Sequence, residues 1–274
     1  MPVISDTSDA SANSDLSKNS ALADLAWLVG DAARPWLERA AAESQVSVRF
    51  AQSLRKDLSA ERARLVCEQA ELRRRAREKF SLAGEMFFTR RGLEQATDEW
   101  LAAYKAARFS TGTRVVDFCC GVGGDLMALA RRGPAIGVDR DEAMQVLARA
   151  NLSLVSVHRG EASPASESRS DVVCADVESI ELADFDGWHA DPDRRIEGRR
   201  ATQIERLSPG VEVLERWIRA GRAGGVKLAP ASETPTSWRR ASCRAEHDRC
   251  PAESRGDERL RSNACRRVSR CLSG

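Results

Sequence analysis

The chain has 274 residues, room for one large or two modest domains, and its 43 basic and 41 acidic residues leave a net charge of +2. So even a balance gives no global electrostatic reason to bind nucleic acid. No apolar run is long enough to cross a bilayer, the stretch from Pro2 to Ser20 has no apolar signal core, and the eight cysteines read as reduced thiols, Cys119 and Cys120 being adjacent in a turn; a cytoplasmic protein is expected.

Residues 1–20 are rich in Ser, Asp, Asn and Ala and are expected to form a disordered tail. A helical N-terminal region follows over 21–91. From Ala21 to Glu43 the apolar positions Leu22, Leu25, Leu28, Val29, Ala32, Trp36 and Leu37 predict short helices interrupted at Pro35. A clearer helix starts after Ser59, an N-cap residue type, and runs to Phe80 on the stripe Leu65, Val66, Leu72, Ala76 and Phe80. Arg73, Arg74, Arg75, Arg77 and Lys79 cluster near its end, either as solvated charges suited to a helix C-terminus or as an RNA-facing surface. Phe87 and Phe88 read as core.

Residues 92–230 alternate helix and strand, the pattern of a parallel α/β sheet. The order is helix Leu93 to Ala107, strand Arg114 to Phe118, helix Leu126 to Arg132, strand Ala135 to Val138 and helix Glu142 to Asn151. A third strand lies in Asp171 to Asp176 and a fourth near Trp188. Helix Pro209 to Ala220 and strand Gly225 to Ala229 end the series.

The first strand and the turn after it carry the strongest chemical signal. Gly121, Gly123 and Gly124 let the backbone turn tightly beneath a ligand, and the next helix presents its N-terminus there. About 20 residues on, Asp139 ends the second strand, the usual place for a carboxylate that holds a ribose diol. Counting from Gly121, a dinucleotide fingerprint would need Gly or Ala where Leu126 stands, so NAD is disfavoured. Asp117, ending the first strand, would repel a pyrophosphate but accept an ammonium or sulfonium group. S-adenosylmethionine is the cofactor expected. Asp117 and Gly121 to Gly124 would hold its methionyl part, and Asp139 its ribose. Asp176 would meet the adenine amino group or else cap the turn beginning at Val177; Asp125 would cap the helix from Leu126.

The stretch Asp117-Phe-Cys-Cys-Gly-Val-Gly-Gly-Asp125 resembles motif I of class I S-adenosylmethionine-dependent methyltransferases. It is most similar to a bacterial group whose full-length members also carry a THUMP-like RNA-binding domain, and more distantly to trimethylguanosine-synthase-like cap methyltransferases. Met86-Phe-Phe-Thr89, Gly92-Leu-Glu-Gln-Ala-Thr97 and Asp191-Pro-Asp-Arg-Arg195 share the likeness, which spans roughly residues 45–230. The resemblance implies a Rossmann-like sheet, methyl transfer to RNA, and a Phe87-Phe88 segment folded over the methionine end of the cofactor. It also makes Asp191 and Pro192 the candidate catalytic residues. They keep the first two positions of the Asp/Asn-Pro-Pro-aromatic motif of amino-methylating relatives and lack the aromatic that stacks on a flipped base. Arg194 and Arg195 would instead suit a phosphate, and the segment also reads as a turn with a helix-starting proline.

Beyond Pro230 the periodicity stops. Residues 231–274 are Arg- and Cys-rich, with too little apolar surface to offset ordering entropy, so a disordered tail is expected. Cys243, His247, Cys250, Cys265 and Cys271 have irregular spacings and no C-x-x-C pair, so no metal site is expected. No sixth or seventh strand is evident, and the chain is therefore expected to be a truncated or frame-shifted version of a longer enzyme with an incomplete sheet. A non-catalytic remnant and a methyltransferase of small molecules or proteins are the alternative readings.

Overall fold

The computed structural model describes residues 8–158, 170–193, 195, 196, 199, 200, 207–228, 232 and 238. The chain divides into two compact units, Met1–Val177 and Glu178–Gly274.

The first unit begins with α1 (Ser8–Val29), so helical backbone extends back through much of the stretch expected to be a tail. Once the apolar turns from Leu22 to Val29 nucleate a helix, each further residue gains one hydrogen bond for one residue fixed, without repeating the nucleation cost, and Ala10, Ala12 and Leu16 are good helix formers. The break falls at Gly30, ahead of a single 3-10 turn (Asp31–Ala33), and not at Pro35. Pro35 lies in the first turn of α2 (Arg34–Ala42), where its missing N–H has no helical partner to lose. A helix not foreseen, α3 (Val48–Leu54), is capped by Ser47, whose hydroxyl accepts from the Phe50 N–H at 3.1 Å. Ser59 caps α4 (Ala60–Ala76) as expected, accepting from Arg62 N–H at 3.2 Å. Leu28, Leu37, Phe50, Leu54 and Val66 from these helices form one buried cluster.

Where one helix was expected over 93–107 there are two, α5 (Arg90–Gln95) and α6 (Glu99–Ala106). The Asp98 carboxylate accepts from Leu101 N–H at 3.0 Å and restarts the helix, a capping signal legible in Asp98-Glu99. The alternation then proceeds through β1 (Val115–Phe118), α7 (Gly124–Ala130), β2 (Ala135–Asp139), α8 (Glu142–His158) and β3 (Asp171–Cys174). β2 lies between β1 and β3, parallel to both, with Asp117 opposite Gly137 and Asp139 opposite Cys174. Helix α8 continues seven residues past the expected end at Asn151 because Leu152 and Val155 prolong its buried stripe.

A second buried cluster joins the helical segment to the strands: Leu72, Phe80, Met86 and Phe88 share it with Val115, Leu126, Ala148 and Val172. Burying each large apolar side chain contributes roughly 1.5–3 kcal/mol, so residues 72–88 form an integral wall of this unit.

The second unit contains β4 (Gly187–Ala190), the short antiparallel pair β5 (Arg195–Ile196) and β6 (Arg199–Arg200), α9 (Val211–Arg219) and β7 (Ala223–Val226). β4 and β7 pair in parallel, Trp188 opposite Gly224. The last strand begins two residues before the expected start at Gly225. Gly224 permits this, since a Cβ there would sit 2.1 Å from Trp188 Cε2. Trp188 packs on Trp217 of α9 with ring centroids 5.6 Å apart.

Among the described residues no helix is long and apolar enough to cross a membrane. The expectations for the tail after residue 238, its cysteines and any further strands lie outside the described residues, as does Arg194.

Candidate functional site

Between β1 and α7 the chain turns through Cys119 (φ 59°), Gly121 (φ 53°) and Gly123 (φ 85°), all left-handed. A non-glycine residue in that region costs of order 1–3 kcal/mol, so Cys119 is held there by its surroundings. Backbone bonds close the turn: Cys120 N–H donates to Val138 O at 3.1 Å and Gly123 N–H to Cys120 O at 2.9 Å. The three glycines differ in purpose. A Cβ on Gly123 would meet Ala148 at 3.5 Å, and one on Gly124 the Thr97 carbonyl at 3.2 Å and Phe80 at 3.5 Å, whereas one on Gly121 would meet nothing within 4 Å. Close packing therefore constrains Gly124, the left-handed backbone constrains Gly123, and Gly121 is the one bordering open space.

Asp139 is the residue tied most directly to this turn. Its Oδ2 accepts from Gly121 N–H at 2.9 Å and its Oδ1 from Asp141 N–H at 3.0 Å. A carboxylate has about four lone-pair directions, so two remain for the hydroxyls of a diol. The Asp139 carbonyl accepts from Ala175 N–H at 3.0 Å, which brings the ends of β2 and β3 together. Asp176 is exposed in the next position, directly before the 3-10 turn Val177–Ser179.

Asp117 is fully buried in β1. Burial, followed by the charges of Asp117 and Asp139, pushes the Cys120 thiol well above its ordinary value. Asp125 does not cap α7: Gly123 holds the cap position, and Asp125, within the first turn, accepts from Thr97 Oγ1 at 2.9 Å and from Lys105 Nζ at 2.7 Å. The partly buried ammonium of Lys105 on α6 and the buried Thr97 hydroxyl beside it take this carboxylate instead of the helix end.

Two side-chain amides that sequence reasoning missed hold the segment upstream of the turn. Gln69 accepts from Phe88 N–H at 3.1 Å and donates to Phe88 O at 2.5 Å. Asn151 accepts from Phe87 N–H at 2.7 Å and donates to Phe87 O at 2.9 Å and to Val122 O at 2.8 Å. The one available signal was a polar residue on the apolar stripe of each helix. The basic cluster of α4 is largely used for similar work. Arg73 donates to the carbonyls of Met86 and Glu85 and lies 4.7 Å from the Phe87 ring centroid, Arg74 donates to Glu43 and Ser44, and Lys79 to Leu93, Glu94 and Ala96. Burial pulls the Arg73 guanidinium down to about 10, still charged at neutral pH.

In the second unit Asp191 follows β4, and its carboxylate meets Lys227 Nζ at 2.5 Å. Lys227, which sequence reasoning also missed, is placed by its own N–H donating to Ala190 O at 2.9 Å. Pro192 is buried, and Asp193 exchanges two backbone bonds with Ser208 at 3.0 and 3.1 Å in an isolated antiparallel bridge. Among the described residues no group of three or more His, Cys, Asp or Glu side chains is placed to hold a metal.

No protein-family model matches the chain, and no curated protein does. Among solved structures, a candidate methyltransferase of Porphyromonas gingivalis W83 superposes with a TM-score of 0.51 at 24% identity, over 72% of this chain and 46% of that one. This chain thus spans about half the length of that protein, and the likeness is one of fold. Smaller overlaps occur with the tRNA (uracil-54, C5)-methyltransferase of Pyrococcus abyssi, determined with S-adenosyl-L-homocysteine (TM-score 0.29, 23% identity, 40% of this chain and 25% of that), and with TrmN of Thermus thermophilus (0.28, 23%, 39% and 32%). The fold is accordingly α/β, with parallel strand pairing, a helical N-terminal region, and the architecture of the Porphyromonas protein over the shared residues.

Proposed function

We propose that this chain binds S-adenosylmethionine over the Gly121 turn and transfers its methyl group to an acceptor in RNA. The observation that carries the reading is the carboxylate of Asp139 fixed 2.9 Å from Gly121 N–H at the end of β2, with acceptor capacity left over and open space beside Gly121. The cofactor, when bound, supplies an electrophilic methyl group on a sulfonium. The chain's own residues supply orientation. In this reading Asp139 takes the ribose hydroxyls, Asp176 the adenine amino group, and Gly121, Gly123 and Gly124 shape the backbone beneath the methionyl part. Asp117 contributes negative charge from below the turn. Asp191 and Pro192 act on the acceptor, with Lys227 holding the Asp191 carboxylate in place. RNA as the acceptor and kinship with the THUMP-like bacterial group rest on the sequence resemblance, and a cytoplasmic location rests on composition.

Calorimetric titration of the purified chain with S-adenosylmethionine tests the reading. Saturable binding that Asp139→Ala weakens is the result expected, and no binding by the unaltered chain overturns it. Labelled methyl transfer into RNA, compared with protein and small-molecule acceptors, tests the acceptor.

A further inference from the structure

Resting on the cofactor reading above, we infer that Asn151 is a positioning residue for the glycine turn, acting through the carbonyl of Val122. Val122 stands between Gly121 and Gly123, both left-handed and both glycines, so neither neighbour restricts the backbone to one shape. Backbone bonds and Asp139 hold the turn at Cys120, Gly121 and Gly123, and Val122 between the two glycines is held by its own carbonyl and side chain. Its carbonyl accepts from Asn151 Nδ2 at 2.8 Å, and its Cγ1 fills the niche left by Gly92, where a Cβ would come within 2.5 Å. Val122 is 2% exposed and Asn151 fully buried, so water does not substitute for either contact.

The remaining capacity of Asn151 is used on Phe87, whose N–H and carbonyl both pair with it. An asparagine offers two donors and an acceptor within short reach, and all are used here. One side chain on α8 thus joins the glycine turn to the Met86–Thr89 segment, and through it to α4. Gln69 supplies a control within the same molecule: it pairs with the adjoining Phe88 in the same manner but makes no hydrogen bond to the turn.

The experiment compares Asn151→Ala with Gln69→Ala, each held below its own unfolding midpoint. Amide exchange is read at Gly121 and Gly123 without ligand, and S-adenosylmethionine affinity by calorimetry. Exchange at the two glycines should rise by roughly tenfold or more in Asn151→Ala and by less than about twofold in Gln69→Ala. The dissociation constant should rise by roughly tenfold or more in the first variant and stay within about twofold in the second. Unchanged exchange in Asn151→Ala, or equal effects from the two variants, overturns the proposal. Should Asn151→Ala fail to fold, Gly92→Ala displaces Val122 from the opposite side and carries the same exchange measurement. If the unaltered chain binds no S-adenosylmethionine, the cofactor reading falls, and the ligand-free exchange data still decide whether Asn151 shapes the turn.

Discussion

Lys105 and Asp125 form an ion pair of 2.6 Å between α6 and α7, their side chains only 18% and 10% exposed. Thr97 joins them, its hydroxyl donating to the same carboxylate. The pair fastens the helix before β1 to the first turn of the helix after it, so the Gly121 turn is flanked by a fixed charge pair. Removing one partner leaves the other charge poorly compensated. Lys105→Met should cost about 2–4 kcal/mol, and adding Asp125→Leu should recover part of the loss. A double-mutant cycle by urea denaturation checks this, and additive losses would show that the two charges are not coupled.

Asp139→Ala removes the acceptors of the Gly121 and Asp141 N–H groups. The folded chain should lose about 1–3 kcal/mol, and cofactor affinity on the order of 2–3 kcal/mol more. Denaturation without ligand and calorimetry with it separate the two effects. A stable variant with unaltered affinity would remove Asp139 from the site.

Gly123→Ala and Gly121→Ala should behave differently although both positions are left-handed. The strain of a Cβ is common to both, roughly 1–2 kcal/mol; at Gly123 the methyl would rest in ordinary contact with Ala148, while at Gly121 it would enter the open space beside the turn. The two variants should lose similar stability, and Gly121→Ala should be the one that weakens binding beyond its effect on stability. Melting temperatures beside binding constants give the comparison.

Gly224→Ala should destabilise the second unit by about 1–3 kcal/mol, because the methyl would overlap the Trp188 indole, itself braced by Trp217. Loss of the native tryptophan emission at lower denaturant concentration is the expected signal, and an unchanged midpoint would mean that the β4 and β7 packing yields easily.

The Cys120 thiol, pushed up by burial and by two nearby carboxylates, stays neutral in the folded chain at a pH where the unfolded chain has lost its proton. The folded state then binds more protons, so this contribution is complete below the unfolded value of about 8.5 and declines as pH rises above it. Denaturation midpoints between pH 7 and pH 10 should fall more steeply in the unaltered chain than in Cys120→Ala. The thiol should also resist alkylation at neutral pH.

Much of the α/β alternation from Val115 to Val226 was legible because apolar runs of the right length are separated by turn residues. The turn at Gly121 was legible for the same reason, with Asp139 at a recognisable distance. Asn151, Gln69 and Lys227 were not. Their partners are backbone atoms 64 and 19 residues away, or a carboxylate 36 residues away, and no local pattern announces them. The packing role of Gly124 also escaped the sequence, since turn glycines look alike until the neighbours a Cβ would strike are known. Asp125 was assigned to the nearest helix end because Lys105 and Thr97, its actual partners, lie far back along the chain.

The guanidinium of Arg73, given over to the carbonyls of Met86 and Glu85 and the face of Phe87, changes what the arginine count means for a polyanion. With Arg74 and Lys79 likewise bonded to carbonyl oxygens, Arg75 and Arg77 are the exposed guanidinium groups at the end of α4. Counter-ion release scales with the cations that reach phosphate rather than with those in the composition. Any nucleic acid lying along this end of the helix would therefore show a shallow dependence on salt, and its grip would have to come from elsewhere on the chain.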